Sequence, residues 1–178
     1  MPKRVEVRIS GFGGQGVVLA GEILGRAAAY EGKHVVQTQS YGAEARGSTA
    51  RSEVIISDSK IDFPKVRKCD ILVAMSQKAL EANLKDLKKN GLLIVDKDKV
   101  EQLPDTKARI FKIPATKTAA KLLKSRLYAN VIMLGALTRI TGIVKEKTVE
   151  KAIADSVPET TREANIMSFR KGLKLATF

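Results

Sequence analysis

The feature that most constrains this chain is a glycine cluster, Gly11-Phe12-Gly13-Gly14-Gln15-Gly16, set between segments of different periodicity. Ahead of it Val5, Val7 and Ile9 alternate with Glu6 and Arg8, as the two faces of a strand do. Behind it Leu19, Ile23, Ala27 and Tyr30 recur at helical spacing. The pattern predicts strand, tight turn, helix. G-x-G-x-x-G in that context lets the backbone turn sharply and lets a ligand or another chain approach, while free amides at the helix amino terminus favour an anion. Three readings stay open: a dinucleotide site, a turn needed only for packing, and a site for a different phosphate ligand or a subunit contact. A dinucleotide site also wants an acidic residue about 20 residues on, at the end of the second strand, to hold ribose hydroxyls. Gln37, Thr38 and Gln39 stand there instead, and Glu44 arrives later, in a loop.

Further β-like runs are residues 34–39, 53–57, 71–75, 92–95 and 109–113. Several alternate with helical patterns, which favours right-handed βαβ units and a mainly parallel sheet, an α/β Rossmann-like fold. Ser76 is placed to cap a helix with Leu80, Leu84 and Leu87 on one face, Lys85, Lys88 and Lys89 on its solvated side, and Asn90-Gly91 as its stop. Thr116 is placed to start a short helix carrying Ala119, Leu123 and Leu127. Residues 130–141 are apolar on most sides, as a buried helix should be. Residues 146–156 and 160–175 read as helices too, the last with Thr160 and Glu163 as a capping box and Ile166, Phe169 and Leu173 on one face. The carboxyl-terminal third is therefore helical.

With 178 residues, one core can bury roughly 70% of the surface that the unfolded chain exposes, so no staple is needed. No repeat, low-complexity tract or linker breaks the chain, and residues 1–178 read as a single domain. Cys69 is the only cysteine and His34 the only histidine, which excludes an internal disulfide, a structural zinc or an iron–sulfur cluster held by this chain. Cys69 reads as a small buried side chain and His34 as the start of a strand. The longest apolar run, residues 131–137, is far short of the ~18 to 20 residues that span a bilayer, and no signal peptide is visible, so a cytoplasmic location is expected.

The formal charge is +13, and residues 60–126 carry 17 Lys+Arg against 8 Asp+Glu. Phe63 and Phe111 are the only aromatics in that stretch, so the stacking platforms of a nucleic-acid binder are missing. Solvated surface, an acidic protein partner or a phosphorylated ligand accounts for the charge instead.

A second motif, Gln39-Ser40-Tyr41-Gly42-Ala43-Glu44-Ala45-Arg46-Gly47-Ser48, follows the second strand. Small residues surround one carboxylate and one guanidinium where ligands gather in open α/β sheets. The Arg46 fork can grip a carboxylate or phosphate, or it and Glu44 can make surface pairs only. Asn130, heading the buried helix, can be a cap or a ligand contact.

Together GFGGQG and QSYGAEARGS resemble the gamma subunit of the 2-oxoacid:ferredoxin oxidoreductases. Ser57-Asp58 with Ile61 and Pro64, Asp70 opening DILVAM, Asn130 with Leu134-Gly135-Ala136, and Asn165, Phe169 and Gly172 extend the resemblance over nearly the whole chain. SYGAEARG is the more selective motif and is similar to the 2-oxoglutarate type, although Ser48 stands where that type usually has a second glycine. The resemblance implies a non-autonomous subunit of an enzyme that converts a 2-oxoacid and coenzyme A to acyl-CoA and CO2 with reduction of ferredoxin. It implies alpha, beta and delta-type partner subunits, ferredoxin reached through the complex, and no nucleic acid or membrane. In isolation the chain can pair with a second copy. Thiamine diphosphate, iron–sulfur clusters and coenzyme A belong to the complete complex, with no cofactor bound by this chain alone. No catalytic or metal-binding residue is expected here. The expected ligand or subunit-contact loop comprises Gly11, Gly13, Gly14, Gln15, Gly16, Tyr41, Gly42, Glu44, Arg46, Gly47, Ser48 and Asn130. The alternative is a stand-alone dinucleotide-binding redox or regulatory domain.

Overall fold

The structure, a computed structural model, describes residues 4–42 and 48–176. Glu44, Arg46 and Gly47 of the expected site lie outside the described residues. The chain runs β1 (Arg4–Phe12), α1 (Val17–Tyr30), β2 (His34–Tyr41), β3 (Thr49–Ser57), β4 (Cys69–Ala74), α2 (Gln77–Asn83), β5 (Leu87–Asp96), β6 (Arg109–Ile113), α3 (Ala115–Leu123), α4 (Ala129–Thr141), α5 (Glu146–Ser156) and α6 (Glu159–Leu175). Short 3-10 turns at Leu84–Asp86 and Arg126–Tyr128 complete it.

The six strands form one sheet in the order β2-β3-β1-β4-β5-β6. The β1–β4, β4–β5 and β5–β6 pairs are parallel, while β3 runs antiparallel to both β1 and β2. The sheet is thus mainly parallel, as expected, but its first unit is not a simple βαβ. Only residues 43–47 and their flanks separate β2 from β3, so the chain must return as a hairpin. That hairpin inserts β3 between β1 and β2.

Alternate residues sort to two cores. Val7, Ile9, Val54, Ile56, Val73 and Ile94 pack under α1 and α3 through α6, while Ile55, Leu72, Leu93 and Val95 pack with Leu80 and Val100 on the other side. Helix α4 is buried on nearly all sides, as its composition requires. It meets α6 through two glycines: a Cβ on Gly172 would lie 2.0 Å from the Ile132 carbonyl oxygen, and one on Gly135 2.2 Å from that of Phe169. Only glycine allows these helices to come so close.

Three local expectations fail. The helix after Ser76 stops at Asn83, and Leu87 opens β5, so Lys88, Lys89 and Asn90-Gly91 belong to a strand. Asp70 alone lies between Cys69 and Ile71, whose partners Leu87 and Leu92 are five apart, and the extra β5 residues form a bulge that absorbs the turn signal of Asn90-Gly91. Leu127 lies in the 3-10 turn beyond α3, because Lys124 ends that helix in the left-handed conformation with φ 56°. Helix α6 starts one residue early, behind Pro158, with no side-chain cap, so the Thr160–Glu163 box is not formed. Proline already fixes the backbone at that entry.

Candidate functional site

The carboxyl ends of β1, β4 and β5 gather the first motif and part of the second. After β1 the chain turns through Gly13 and Gly14 into α1, whose N-cap, Gly16, sits at φ 74° without a side-chain cap. Gly14, at φ 90°, is exposed and its Cβ position is open, so conformation alone demands glycine there. A Cβ on Gly11 would lie 2.4 Å from Gln15 Oε1, so that glycine serves packing.

The side chain of Gln15 folds back on this turn. Its Oε1 accepts the Phe12 amide at 2.6 Å and its Nε2 donates to the Met75 carbonyl at 3.1 Å, tying the turn to the end of β4. Asn130, second residue of α4, donates from Nδ2 to the Gly16 carbonyl at 3.0 Å. The reverse amide orientation would set two carbonyl oxygens face to face, which fixes Oδ1 on the far side. There Oδ1 is buried and makes no hydrogen bond among the described residues.

The two motifs touch. The Gly13 amide donates to the Ser48 carbonyl at 3.1 Å, and the Gly42 amide to that of Thr49 at 2.8 Å. Ser48, just ahead of β3, therefore lies against the glycine turn, and Tyr41 at the end of β2 is 61% exposed. The proximity expected of these loops is found, but by a different route: β3 itself continues the sheet beside β1. That insertion also removes the geometry of a dinucleotide site. The end of β2 lies two strand spacings, about 10 Å, from the strand that carries the glycine turn. Tyr41 rather than a carboxylate ends it.

On the other side of the turn a cleft of about 200 Å³ is lined by Gly14, Gln15, Lys99, Thr116, Arg126 and Leu127, among others. Lys99, Thr116 and Arg126 were not among the expected site residues. The signal for this side was a carboxylate, Asp96, directly after the buried run Leu92-Leu93-Ile94-Val95. Asp96 ends β5 fully buried, accepts the Thr116 hydroxyl at 2.5 Å and the Asp98 amide at 3.1 Å, and so sets α3 against the strand. Burial pushes its carboxyl above the usual range, and the Thr116 hydrogen bond works against that rise. Leu127, 71% exposed, stands at the rim.

Arg8, predicted to lie on a polar strand face, is instead 2% exposed. Its Nε donates to Glu53 at 3.0 Å and its Nη1 to Asp86 at 2.7 Å and Asn83 at 3.3 Å. Asn83 donates in turn to Ser10. Burial works against the Arg8 charge, but the Asp86 hydrogen bond and the Glu53 charge outweigh it, and the guanidinium stays protonated. The network is structural: it binds β1, β3 and the turn before β5.

Among the described residues no group of three or more His, Cys, Asp and Glu could hold a metal ion, and no helix is long and apolar enough to cross a membrane. The chain does not fit an iron–sulfur cluster: its lone thiol, Cys69, is buried and pushed up to about 11, mainly by burial. His34 is exposed at the start of β2.

Residues 6–175 match the sequence pattern of the family described as Pyruvate ferredoxin/flavodoxin oxidoreductase. The 2-oxoglutarate synthase subunit KorC of Methanocaldococcus jannaschii is 53% identical over 97% of this chain and 94% of its own length. A keto/oxoacid ferredoxin oxidoreductase gamma subunit from Geobacter sulfurreducens has a crystal structure that superposes with a TM-score of 0.87 at 42% identity, covering 97% of this chain and 98% of its own. A 2-oxoglutarate:ferredoxin oxidoreductase from Magnetococcus marinus, with 2-oxoglutarate, coenzyme A and succinyl-CoA bound, superposes with a TM-score of 0.88 at 26% identity. It covers 99% of this chain, which spans 31% of that longer one. From the glycine turn to the Gly135–Gly172 helix contact, the chain belongs to the pyruvate ferredoxin/flavodoxin oxidoreductase family.

Proposed function

We propose that this chain is the gamma subunit of a 2-oxoglutarate:ferredoxin oxidoreductase complex and that its glycine-turn end faces the acyl-accepting part of the reaction. The observation that carries the first part is the likeness, along nearly the whole chain, to a 2-oxoglutarate synthase subunit. Partner subunits of alpha, beta and delta type supply thiamine diphosphate, iron–sulfur clusters and the route to ferredoxin. The chemistry they supply is decarboxylation of the 2-oxoacid and removal of electrons, after which the acyl group passes to coenzyme A. This chain supplies no thiolate set for clusters, and its role is to bind and to position.

Lys99 and Arg126 support the second part. They bring two cations to a cleft beside the open Gly14 and the amino end of α1, where backbone dipoles also favour negative charge. The cleft is smaller than the roughly 300–1,000 Å³ of a complete small-molecule site. It suits a phosphate group of coenzyme A, with the remainder held by a partner surface. Ser48 lies against the other side of the turn, and the segment Tyr41, Gly42, Glu44, Arg46, Gly47 and Ser48 is the subunit-contact loop.

Purification of the native complex through this chain tests the reading, followed by viologen reduction with 2-oxoglutarate, pyruvate and a branched-chain 2-oxoacid, each with and without coenzyme A. Co-purification of a thiamine-diphosphate subunit and a cluster subunit, with coenzyme-A-dependent activity on 2-oxoglutarate, is expected. Capture of the chain alone, or NAD binding by it, would contradict the assignment.

A further inference from the structure

The opposite end of the sheet carries an excess of positive charge that the site does not use. Reading across the parallel strands at their amino ends, β1 begins at Arg4, β4 follows Arg67 and Lys68, the β5 bulge holds Lys88 and Lys89, and β6 begins at Arg109. Four neighbouring strands span about 15 Å, so these cations share one face. Two openings lie on it. One of about 640 Å³ is lined by Asp70, Lys88, Lys89, Asn90 and Arg109 together with the end of α4 at Ile140 and Thr141. The other, of about 190 Å³, is lined by Arg4, Glu6, Phe63, Lys65 and Arg67, with Arg67 stacked 4.8 Å from the exposed Phe63 ring. The Glu6 amide donates to Asp70 at 2.8 Å, so the two openings adjoin.

The two carboxylates that line these openings are already engaged: Glu6 pairs with Arg4 and Asp70 with Lys88. Lys65, Lys89 and Arg109 are exposed and have no carboxylate partner among the described residues. We infer that this amino-end face is an electrostatic docking surface for an acidic protein surface, that of another chain of the assembly. The inference rests on the subunit reading above. The composition favours a protein over a phosphate polymer. Glu6, Asp70 and the carbonyl pole of α4 are interleaved with the cations and would repel a run of phosphates, while the Asn90 amide offers a polypeptide both a donor and an acceptor. Phe63 and the Ile140 edge add apolar contact.

Two triple variants of the full chain, each co-expressed with its partner subunits, test this. One reverses Lys65→Glu, Lys89→Glu and Arg109→Glu; the other reverses Lys147→Glu, Arg162→Glu and Lys171→Glu on α5 and α6, with the same change in net charge. Near 0.1 M salt the first is expected to weaken capture of partner subunits at least about tenfold and to abolish the salt dependence of capture, while the second stays within about twofold. In the wild-type complex, a zero-length carbodiimide cross-linker is expected to join Lys65 or Lys89 to an Asp or Glu of a partner chain. Equal effects of the two triples, or loss of binding to a single-stranded RNA 30-mer or phosphatidylserine vesicles with capture unchanged, would overturn the docking face alone. Failure of the wild-type chain to capture any partner would overturn the subunit reading and the docking face with it.

Discussion

The two ends of the sheet are built by different means. At the carboxyl end the chain is held by short-range groups: Gln15 on Phe12 and Met75, Asn130 on Gly16, and Gly13 on Ser48. Only backbone approach and amide geometry can place a turn so closely, and few polar groups are left over. At the amino end long cationic side chains stand in solvent, and a buried cation, Arg8, ties the underlying strands to the turn before β5. On the proposed reading, geometry is spent where a ligand is positioned and charge is spread where a partner is attracted.

Removing Arg8 should break the amino-end scaffold most severely. Arg8→Ala leaves Glu53 and Asp86 without their shared partner in a largely buried place, and a loss of about 3–5 kcal/mol is expected in urea unfolding. A loss below about 1 kcal/mol would show the network to be dispensable. Gly16→Ala is the matching change at the carboxyl end. It forces φ 74° on a side chain and sets a Cβ 2.3 Å from Asn130 Nδ2. Roughly 2–4 kcal/mol should be lost, from backbone strain and the displaced amide, with Asn130→Gly in the same background recovering part of it.

Acid separates the ends further. Burial would raise the Asp86 carboxyl, but the Arg8 hydrogen bond and charge outweigh it and hold the group below its ordinary value. A carboxyl lowered by folding stabilises above its unfolded pKa, and that stability is lost as pH falls through the folded value. Unfolding followed below about pH 4 should therefore be less steep for Asp86→Asn than for the wild type. Lys89→Ala, on the exposed bulge, should change stability by less than about 0.5 kcal/mol. A larger loss would mean that the bulge itself depends on that side chain.

The sequence revealed most where one physical cause acted alone. The alternation of Val5, Val7 and Ile9, the glycine cluster and the apolar run before Asp96 each placed an element, and each of the six strands overlaps a run that periodicity marked, although β3 and β5 start four and five residues earlier. Lys85 to Gly91 misled because a lysine-rich surface, a leucine spacing and an Asn-Gly stop also describe a bulged strand behind a short helix. That choice is made by pairing with Cys69 and Ile71, a long-range contact. Arg8 was legible only as an alternating polar residue, since its partners Glu53 and Asp86 lie 45 and 78 positions away. The glycine turn of the candidate site was readable as a turn, whereas Lys99, Thr116 and Arg126 reach it only through the packing of β5, α3 and the 3-10 turn.

The most direct test of the account is the KM for coenzyme A of the assembled complex carrying Lys99→Ala and Arg126→Ala. Loss of two charged contacts to a phosphate should raise it by about tenfold or more, with kcat and the KM for 2-oxoglutarate nearly unchanged. An unaltered KM for coenzyme A in a fully assembled complex would contradict the assignment of the glycine-turn end to the acyl acceptor.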